Sequence, residues 1–451
     1  MPGGTMPSKQ TLYHVTVLSN FARGFDKYTR CYSKVGIPES THPSRFYLLR
    51  GHQLDIGVTK ATSLMERLGL AGNELIALET QVQNSELHAN TSTGLGQFIN
   101  ADHILTTGIY LVTRSANRIG ELRALSPEDA MAASLRLLNP NLIPYSQIRP
   151  RAISFLPVAL ACQAKCPFCF SKASVSSDQP TAKPDWPSIE AWLASGRARG
   201  AERAVITGGG EPTLLPDAVL QKLVSACART FAKVVLITNG HKLATAGVPG
   251  QVERLTSLNL AGLRVLALSR HHHLSDQSQR LMNLSTPLEV LIRTWREHRN
   301  RWPELRLRLI CVLQKSGLDN DKTLAEYLSW ASQLGVEEVC FKELYISTSA
   351  ESIYHDRSAN EWSRSHQVPL SLVIEFCRRH EFVMESSLPW GAPVYRGRWL
   401  GAPLRIAAYT EPSLFWERAN GIARSWNIMA DGRCHVSLED RASEINLEQV
   451  A

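Results

Sequence analysis

Residues 153–169 read Ile-Ser-Phe-Leu-Pro-Val-Ala-Leu-Ala-Cys-Gln-Ala-Lys-Cys-Pro-Phe-Cys, and this stretch decides the fold. Its apolar first part predicts a buried strand over residues 153–160. Its second part packs three of the nine cysteines into one short loop with the spacing C-x3-C-x2-C. Three thiolates cannot complete a tetrahedral zinc site alone, but they can hold three irons of a [4Fe–4S] cluster and leave the fourth iron open. The spacing alone leaves two alternatives, a zinc site completed by a distant ligand and three unligated thiols.

Cys162, Cys166, Phe168 and Cys169 match the pattern C-x3-C-x-aromatic-C, and here the sequence resembles the radical S-adenosylmethionine (SAM) superfamily. The resemblance implies that the three cysteines ligate a [4Fe–4S] cluster, in the loop after the first strand of a parallel barrel. It also implies that the open iron chelates the amino and carboxyl groups of SAM. An electron from the cluster then splits SAM into methionine and a 5′-deoxyadenosyl radical, which removes a hydrogen atom from the substrate.

Strand-like and helix-like patterns alternate from residue 151 to residue 345, and this alternation predicts parallel strands joined by right-handed crossovers. We therefore expect an α/β fold, a partial (β/α)6 TIM-like barrel whose functional residues gather at the carboxyl ends of the strands. The predicted strands cover residues 153–160, 204–207, 234–238, 263–268, 305–313 and 338–345. The predicted helices cover residues 189–199, 217–230, 252–258, 288–299 and 322–334.

Two motifs follow the second and third predicted strands. The first contains Gly209, Gly210 and Glu211, and its glycines allow the backbone to approach a ligand closely. It resembles the "GGE" element of the superfamily, which implies that Glu211 accepts hydrogen bonds from the SAM amino group. The second contains Thr238 and Asn239 and resembles the superfamily's "TNG" element, which implies a second contact with SAM.

The ends of the later strands supply further candidates. Ser269 and Arg270 follow strand four, and the resemblance implies contacts with the SAM ribose and carboxylate; the planar guanidinium of Arg270 suits a carboxylate. Val312 ends strand five, where the superfamily covers the adenine. His271, His272 and His273 invite a metal site, but adjacent side chains on an extended segment point apart, so we expect a polar loop lining the pocket. One of Lys342 and Glu343 on strand six should face into the barrel.

The two flanks carry the question of the substrate. Residues 1–150 predict an α+β accessory domain that binds a substrate or partner, and residues 346–451 predict an extension that caps the barrel mouth. Only Cys377 and Cys434 lie in this extension, so we expect no auxiliary cluster; this counts against the molybdenum-cofactor cyclising enzyme, whose barrel is otherwise similar. Cys434 is a candidate hydrogen-atom donor to a substrate radical, and the alternative is a packed free thiol.

Composition and charge exclude several classes of protein. The chain has 451 residues, of which 44% are hydrophobic and 20% charged, which excludes a disordered chain and a fibre. We see no apolar run long enough for a membrane span and no signal peptide, and the odd cysteine count argues against a disulfide framework. These features predict a cytoplasmic protein. The net charge of +8 permits an acidic partner, such as the flavodoxin- or ferredoxin-like electron donor that the resemblance implies.

The identity of the substrate stays open at this stage. Our first hypothesis is a peptide or peptide-derived natural product, modified at an unactivated C–H bond by epimerisation or cross-linking. The second is a small metabolite in cofactor or antibiotic biosynthesis, and the third is RNA, which only the basic charge suggests. A non-enzymatic iron–sulfur or zinc-binding module is the alternative from a different class.

Overall fold

The chain divides into two compact units. Residues 1–142 with 347–355 form the first, and residues 143–346 with 356–451 form the second. The computed structural model describes residues 143–178, 180, 182–345, 358–412, 417–418 and 420–450, together with five strands nearer the N-terminus. Cys31 lies outside the described residues.

The first unit contains a mixed sheet with the strand order β3-β2-β1-β4-β5. Its central strand β1 pairs antiparallel with both β2 and β4, and β5 continues the antiparallel pattern on β4. The short β3 pairs parallel with β2. The strands are β1 (Gln10–Leu18), β2 (Phe46–Gly51), β3 (Ala77–Leu78), β4 (Ile104–Ser115) and β5 (Arg118–Ala124).

The second unit alternates strands and helices. Its strands are β6 (Arg149–Pro150), β7 (Ile153–Phe155), β8 (Ala204–Ile206), β9 (Val234–Thr238), β10 (Val265–Ser269), β11 (Arg306–Val312), β12 (Glu338–Lys342), β13 (Val383–Ser387), β14 (Pro393–Trp399), β15 (Ala402–Tyr409), β16 (Ile422–Ala423), β17 (Trp426–Ile428), β18 (Cys434–His435) and β19 (Glu444–Ile445). Its helices are α1 (Trp186–Ala198), α2 (Asp217–Thr230), α3 (His241–Ala244), α4 (Gly247–Leu260), α5 (Ser275–Met282), α6 (Leu288–Glu297), α7 (Asp321–Gln333), α8 (Ser358–Ser365) and α9 (Ser371–Arg379). No helix in these ranges is long and apolar enough to cross a membrane.

The six predicted barrel strands are confirmed, and they stand side by side in chain order from β7 to β12. Each pairs parallel with the next. The C-terminal segment adds a parallel strand at each edge, since β17 pairs with β7 and β15 pairs with β12. The segment expected to cap the barrel therefore widens the parallel part of the sheet to eight strands within the described residues.

Helix caps in the sequence explain where several crossovers begin. The Asp185 side chain accepts a hydrogen bond from the Ser188 amide at the start of α1, which also has a proline in its first turn. Asn320 and Thr323 form a capping box before α7, in which each side chain bonds the other's backbone amide. These caps satisfy amides that an isolated helix end would leave unpaired.

Alternation along the strands separates two layers of side chains. On β10, Leu266 and Leu268 join the large apolar core between the sheet and the helices. Val265 and Ala267 point the other way and pack with Ile310 in a small apolar cluster on the inner face. The same alternation decides which of Lys342 and Glu343, at the end of β12, faces into the barrel. Lys342 faces inward and its ammonium pairs with Glu411, whereas the Glu343 carboxylate accepts a hydrogen bond from the Leu370 amide.

An ion-pair network links residues from the two edges of the parallel sheet. The Glu411 carboxylate follows β15 and lies 2.9 Å from the Lys342 ammonium and 2.7 Å from the Arg424 guanidinium, which precedes β17. The Tyr409 hydroxyl donates to it as well, at 2.8 Å. Burial raises the pKa of Glu411, but the charges of Arg424 and Lys342 outweigh that effect and lower it to about 2. In the described residues, β15 and β17 do not pair with each other as strands, and the network links the segments next to them.

The substitution Glu411→Gln tests this network through pH. A carboxyl with a lowered pKa in the folded state stabilises the fold above its unfolded pKa, and that stabilisation is lost as the pH falls through the folded pKa. We expect E411Q to lower the free energy of unfolding by about 3 kcal/mol at neutral pH. The gap to wild type should narrow as the pH falls from the ordinary value of 4.5 towards about 2.

Urea unfolding at several pH values measures this gap. The matched control is Glu190→Gln, which removes a largely exposed pair with Arg229 and should change stability by less than about 0.5 kcal/mol. A gap for E411Q that stays constant across the acid range would contradict the assigned role of the network.

Candidate functional site

The three clustered cysteines lie in the loop after β7, as predicted, and their thiols are free and partly exposed. Burial raises the pKa of Cys166 to about 12, and the neighbouring Cys169 and Cys162 thiols add to the rise. Burial also raises the pKa of Cys162. The three sulfurs are thus close enough to influence one another's charge. Ligation must displace their protons, so metal loading at this loop releases protons.

The donor set of this loop is soft and consists of thiols. Thiolates select iron–sulfur clusters, zinc and copper(I) over the harder divalent ions. Three cysteines in one loop supply one ligand each to three irons of a cubane cluster. The chemistry of this donor set therefore fits a three-cysteine iron–sulfur cluster. In the residues that the structure describes, no group of three or more His, Cys, Asp or Glu side chains is placed to hold a metal ion.

The glycine segment after β8 packs directly against the cysteine loop. The Glu211 amide donates to the Ala161 carbonyl at 2.8 Å. A Cβ atom on Gly210 would lie 2.1 Å from that same carbonyl oxygen, and a Cβ on Gly209 would lie 2.6 Å from the Val158 oxygen. Only glycine permits this approach. The glycines thus hold the cysteine loop in place through backbone contact.

The buried Glu211 carboxylate organises the neighbouring strand ends. Its Oε1 accepts hydrogen bonds from the Thr213 amide, the Thr213 hydroxyl and the Thr238 hydroxyl, at 3.0, 2.7 and 2.5 Å. Its Oε2 accepts from the Asn239 amide at 2.8 Å. Hydrogen bonds to a carboxylate are stronger than those between neutral groups. Glu211 therefore joins the "GGE" and "TNG" segments, a role that the sequence did not indicate; Thr213 was overlooked although it belongs to the same motif.

Asn239 connects this network to the cysteines. Its side-chain amide nitrogen lies 3.6 Å from the Cys162 sulfur and 3.2 Å from the side-chain oxygen of Gln163. The side-chain oxygen of Asn239 accepts a hydrogen bond from the His241 backbone amide at 2.9 Å. The structure thus brings Asn239, Glu211 and Cys162 together, as the motifs predicted. Gln163 is a member that the sequence gave no distinct signal for.

Phe168 anchors the far side of the cysteine loop. Its ring packs edge-to-face on His271, with centroids 5.1 Å apart, and lies 5.7 Å from the Trp362 ring. The His271 Nδ1 accepts a hydrogen bond from the Val312 amide at 3.1 Å. Burial, with a smaller effect of Arg270, lowers the pKa of His271 to about 3, so the ring is neutral. The predicted positions Phe168 and Val312 are thereby linked through one histidine.

Arg270 differs from its predicted role. Its guanidinium is buried and ion-paired with Glu289 at 2.6 Å, and it also donates to the backbone oxygens of His272 and His273. Its charge lies 5.2 Å from the Trp330 ring. The side chain therefore stabilises the histidine loop through these partners, and it also lines the pocket that contains Asn239 and Ser269.

Ser269 lies on the inner face and shares a polar pocket with Asn239. The short helix α5 borders the same pocket through Ser278, Gln279 and Met282. The Met282 carbonyl also accepts from the Lys165 amide at 2.8 Å, which ties α5 to the cysteine loop. Helix α5 carries no motif, so the sequence gave no reason to place it here.

Cys434 is not brought to the cysteine loop. Its thiol has no exposed surface and lies in the apolar core that faces the helices, opposite Ile428 on the neighbouring strand. Burial raises its pKa well above the usual range. This placement argues against the predicted role as a hydrogen-atom donor and fits the alternative of a packed thiol.

Residues 156–327 match the model of the Radical SAM superfamily. The chain carries a radical SAM domain. The match begins just before the cysteine loop and includes both glycine-containing motifs, so the family resemblance is confirmed for this part of the chain, and it supports an enzyme. A radical SAM enzyme uses a [4Fe–4S] cluster and SAM. No curated protein matches the chain.

Several solved structures are similar to parts of the chain. Streptococcus suis SuiB bound to the precursor peptide SuiA is 16% identical, with 72% of this chain and 68% of that chain covered and a TM-score of 0.42. SuiB bound to S-adenosylmethionine is 18% identical, with 70% and 67% covered and a TM-score of 0.44. Coproporphyrinogen III oxidase (HemN) from Escherichia coli is 12% identical, with 58% and 67% covered and a TM-score of 0.32.

The substitution Gly210→Ala tests the contact between the glycine segment and the cysteine loop. Its Cβ cannot stay 2.1 Å from the Ala161 oxygen, so the loop must shift, at a cost of roughly 1–3 kcal/mol. We expect less iron per chain after anaerobic reconstitution and a lower melting temperature. Gly250→Ala in α4 is the control, since the added Cβ would lie 3.1 Å from its nearest neighbour, the Ala246 Cβ. If G210A binds as much iron as wild type, the contact does not position the ligands.

Proposed function

We propose that this enzyme cleaves SAM reductively at a cluster held by Cys162, Cys166 and Cys169 and uses the resulting radical on a substrate C–H bond. When bound, the cluster supplies the electron that splits SAM into methionine and a 5′-deoxyadenosyl radical. The observation that carries the proposal is the three-cysteine loop packed on Gly209, Gly210 and Glu211. A structural metal site needs no such contact with the ends of two further strands.

The residues around the loop suit the polar parts of SAM. Asn239 and Ser269 present an amide and a hydroxyl to one pocket beside the cysteine loop, where they can bind amino, carboxyl or ribose groups. Glu211 fixes the Thr238 hydroxyl and the Asn239 backbone amide, so this strand end is positioned before SAM binds. Val312 lies at the carboxyl end of β11 and is placed to contact an apolar part of the ligand. Arg270 acts in this proposal as a positioning residue for the histidine loop.

A basic surface beside the cluster suits an acidic electron donor. Lys165 lies within the cysteine loop and Lys172 follows it, and both side chains are exposed. Opposite charges steer the encounter of two proteins and raise its rate. We therefore keep the flavodoxin- or ferredoxin-like donor as part of the proposal. Free thiols at all described cysteines suit a reducing compartment, and the predicted cytoplasmic location stays a prediction.

For the substrate we propose a peptide or peptide-derived natural product. The second unit contains the whole family match, so the separate N-terminal unit with its five-stranded sheet is available for another task. A compact domain beside a catalytic domain commonly binds a substrate or partner. A small metabolite is the alternative, because it would need only the cavity inside the barrel. No described feature favours RNA.

The substitution Cys166→Ala tests the cluster assignment. Removing one of three thiolate ligands should abolish formation of 5′-deoxyadenosine by reconstituted protein with dithionite and SAM, measured by liquid chromatography. Cys377→Ala is the matched control, because its thiol lies in the outer apolar core, and it should retain cleavage. If C166A still cleaves SAM as fast as wild type, the ligand assignment is wrong.

Co-expression tests the substrate class. A short open reading frame beside the gene of this enzyme would be expressed with it in deuterated medium. The mass and isotope content of the encoded peptide would be measured by mass spectrometry. A peptide substrate should lose hydrogen on cross-linking or take up solvent deuterium on epimerisation, and the C166A variant should leave it unchanged. A peptide with identical mass and isotope content in both cultures would contradict the peptide hypothesis and favour a small metabolite.

A further inference from the structure

A second polar cavity lies next to the cysteine loop, apart from the pocket of Asn239 and Ser269. Phe170 follows the last cysteine directly and lines this cavity. The segment after it is fixed by the Val175 amide, which donates to the Leu438 carbonyl at 2.8 Å. The cavity is therefore adjacent to the proposed radical site. Its charged and phenolic lining residues are Tyr345, Glu411, Glu417, Arg424 and Glu439.

Glu439 is a buried acid without a counter-ion. Only 7% of the residue is exposed, and it lines the cavity. Its backbone amide donates to the Ser437 hydroxyl, but its carboxylate has no hydrogen-bond or ion-pair partner among the residues that the structure describes. A buried carboxylate without a partner is costly for the fold. Such a group calls for a ligand that supplies hydrogen-bond donors or positive charge.

Two cations at or near the cavity form ion pairs with a different acid. The Arg424 guanidinium and the Lys342 ammonium both pair with Glu411. Glu417 accepts a hydrogen bond from the Arg424 backbone amide at 2.6 Å. Among the residues that the structure describes, neither of these two cations forms an ion pair with Glu439. The cavity thus carries more acidic than basic groups.

The opposite lining is aromatic and includes a second polar atom without a partner. The Phe170 and Tyr345 rings pack edge-to-face with centroids 4.6 Å apart. The buried Tyr345 hydroxyl has no hydrogen-bond partner in the described part of the chain. Aromatic faces attract cations, and a phenol oxygen can accept a hydrogen bond from an ammonium or guanidinium group.

We propose that this cavity binds a cationic nitrogen group of the substrate, an ammonium or a guanidinium, with Glu439 as its counter-ion and Tyr345 as a second acceptor. This inference rests on the proposed function, because it assigns the cavity to the substrate of the radical reaction. For a peptide substrate, the group is the side chain of a lysine or an arginine close to the modified position.

The charge state of Glu439 is consistent with this assignment. Burial raises the pKa of its carboxyl well above the usual range, which favours the protonated form. A cation that enters favours the ionised form and displaces that proton. Burial likewise raises the pKa of Glu417 to about 8. Binding of the cation is thus coupled to the release of a proton.

Three small probes test the proposal by calorimetry on the full-length, anaerobically reconstituted enzyme. They are Nα-acetyl-lysine methylamide, Nα-acetyl-arginine methylamide and the uncharged Nα-acetyl-norleucine methylamide. We expect at least one cationic probe to bind roughly tenfold or more tightly than the norleucine probe. The tighter of the two cations then identifies the nitrogen group. If norleucine binds as well as both cations, or if neither cation binds, the proposal is overturned.

Variants assign the binding to the cavity. Glu439→Gln should weaken the cationic probe roughly tenfold without lowering the melting temperature, because it removes a buried acid that has no partner. Tyr345→Phe should weaken it less, and it serves as the second variant if E439Q does not fold. Glu448→Gln, an exposed carboxylate near the C-terminus, is the control and should bind as wild type. Unchanged binding by both E439Q and Y345F would overturn the assignment.

The outcome is separable from the proposed function. Formation of 5′-deoxyadenosine is measured on the same wild-type preparation without any probe. Cleavage of SAM without cation binding rejects the cavity assignment and leaves the radical function intact. Cation binding by wild type, lost in E439Q, without SAM cleavage in the presence of dithionite rejects the radical function alone.

Discussion

The arrangement of the site depends on one buried carboxylate. Glu211 accepts four hydrogen bonds, from Thr213, Thr238 and the Asn239 amide, while its own amide holds the Ala161 carbonyl. A buried acid is stable only with such partners, so the strand ends and the cysteine loop must adopt one arrangement together. The loop that carries the ligands therefore takes its position from two neighbouring strands as well as from its own sequence.

Side chains at the strand ends have different partners on the two faces of the sheet. Ser269 and Lys342 point inward, whereas Arg270 pairs with Glu289 and Glu343 accepts a hydrogen bond from the Leu370 amide. Arg270 also lines the pocket of Ser269. Among the described residues, Arg270 and Glu343 have partners within the protein, whereas the Glu439 carboxylate, which lines the second cavity, has none.

The sequence predicted the parallel sheet well because its signals are local. The apolar runs at 153–160 and 234–238 and the cysteine spacing each act within a few residues. The places of the C-terminal strands β15 and β17 at the two edges depend on long-range pairing that periodicity does not record. The surroundings of Arg270 and Cys434 likewise depend on long-range packing, which sequence patterns do not specify. Helix α5 and Gln163 enter the site by packing alone.

These observations describe an enzyme that positions its cofactor loop with backbone contacts and leaves a charged cavity beside it. The central claim is that three thiols of one loop hold a cluster with one iron open to SAM. Electron paramagnetic resonance of the dithionite-reduced protein, with and without SAM, tests it most directly. The account predicts about four irons per chain and a reduced-cluster signal that SAM alters. Protein that binds no iron, or a signal that SAM leaves unchanged, would contradict it.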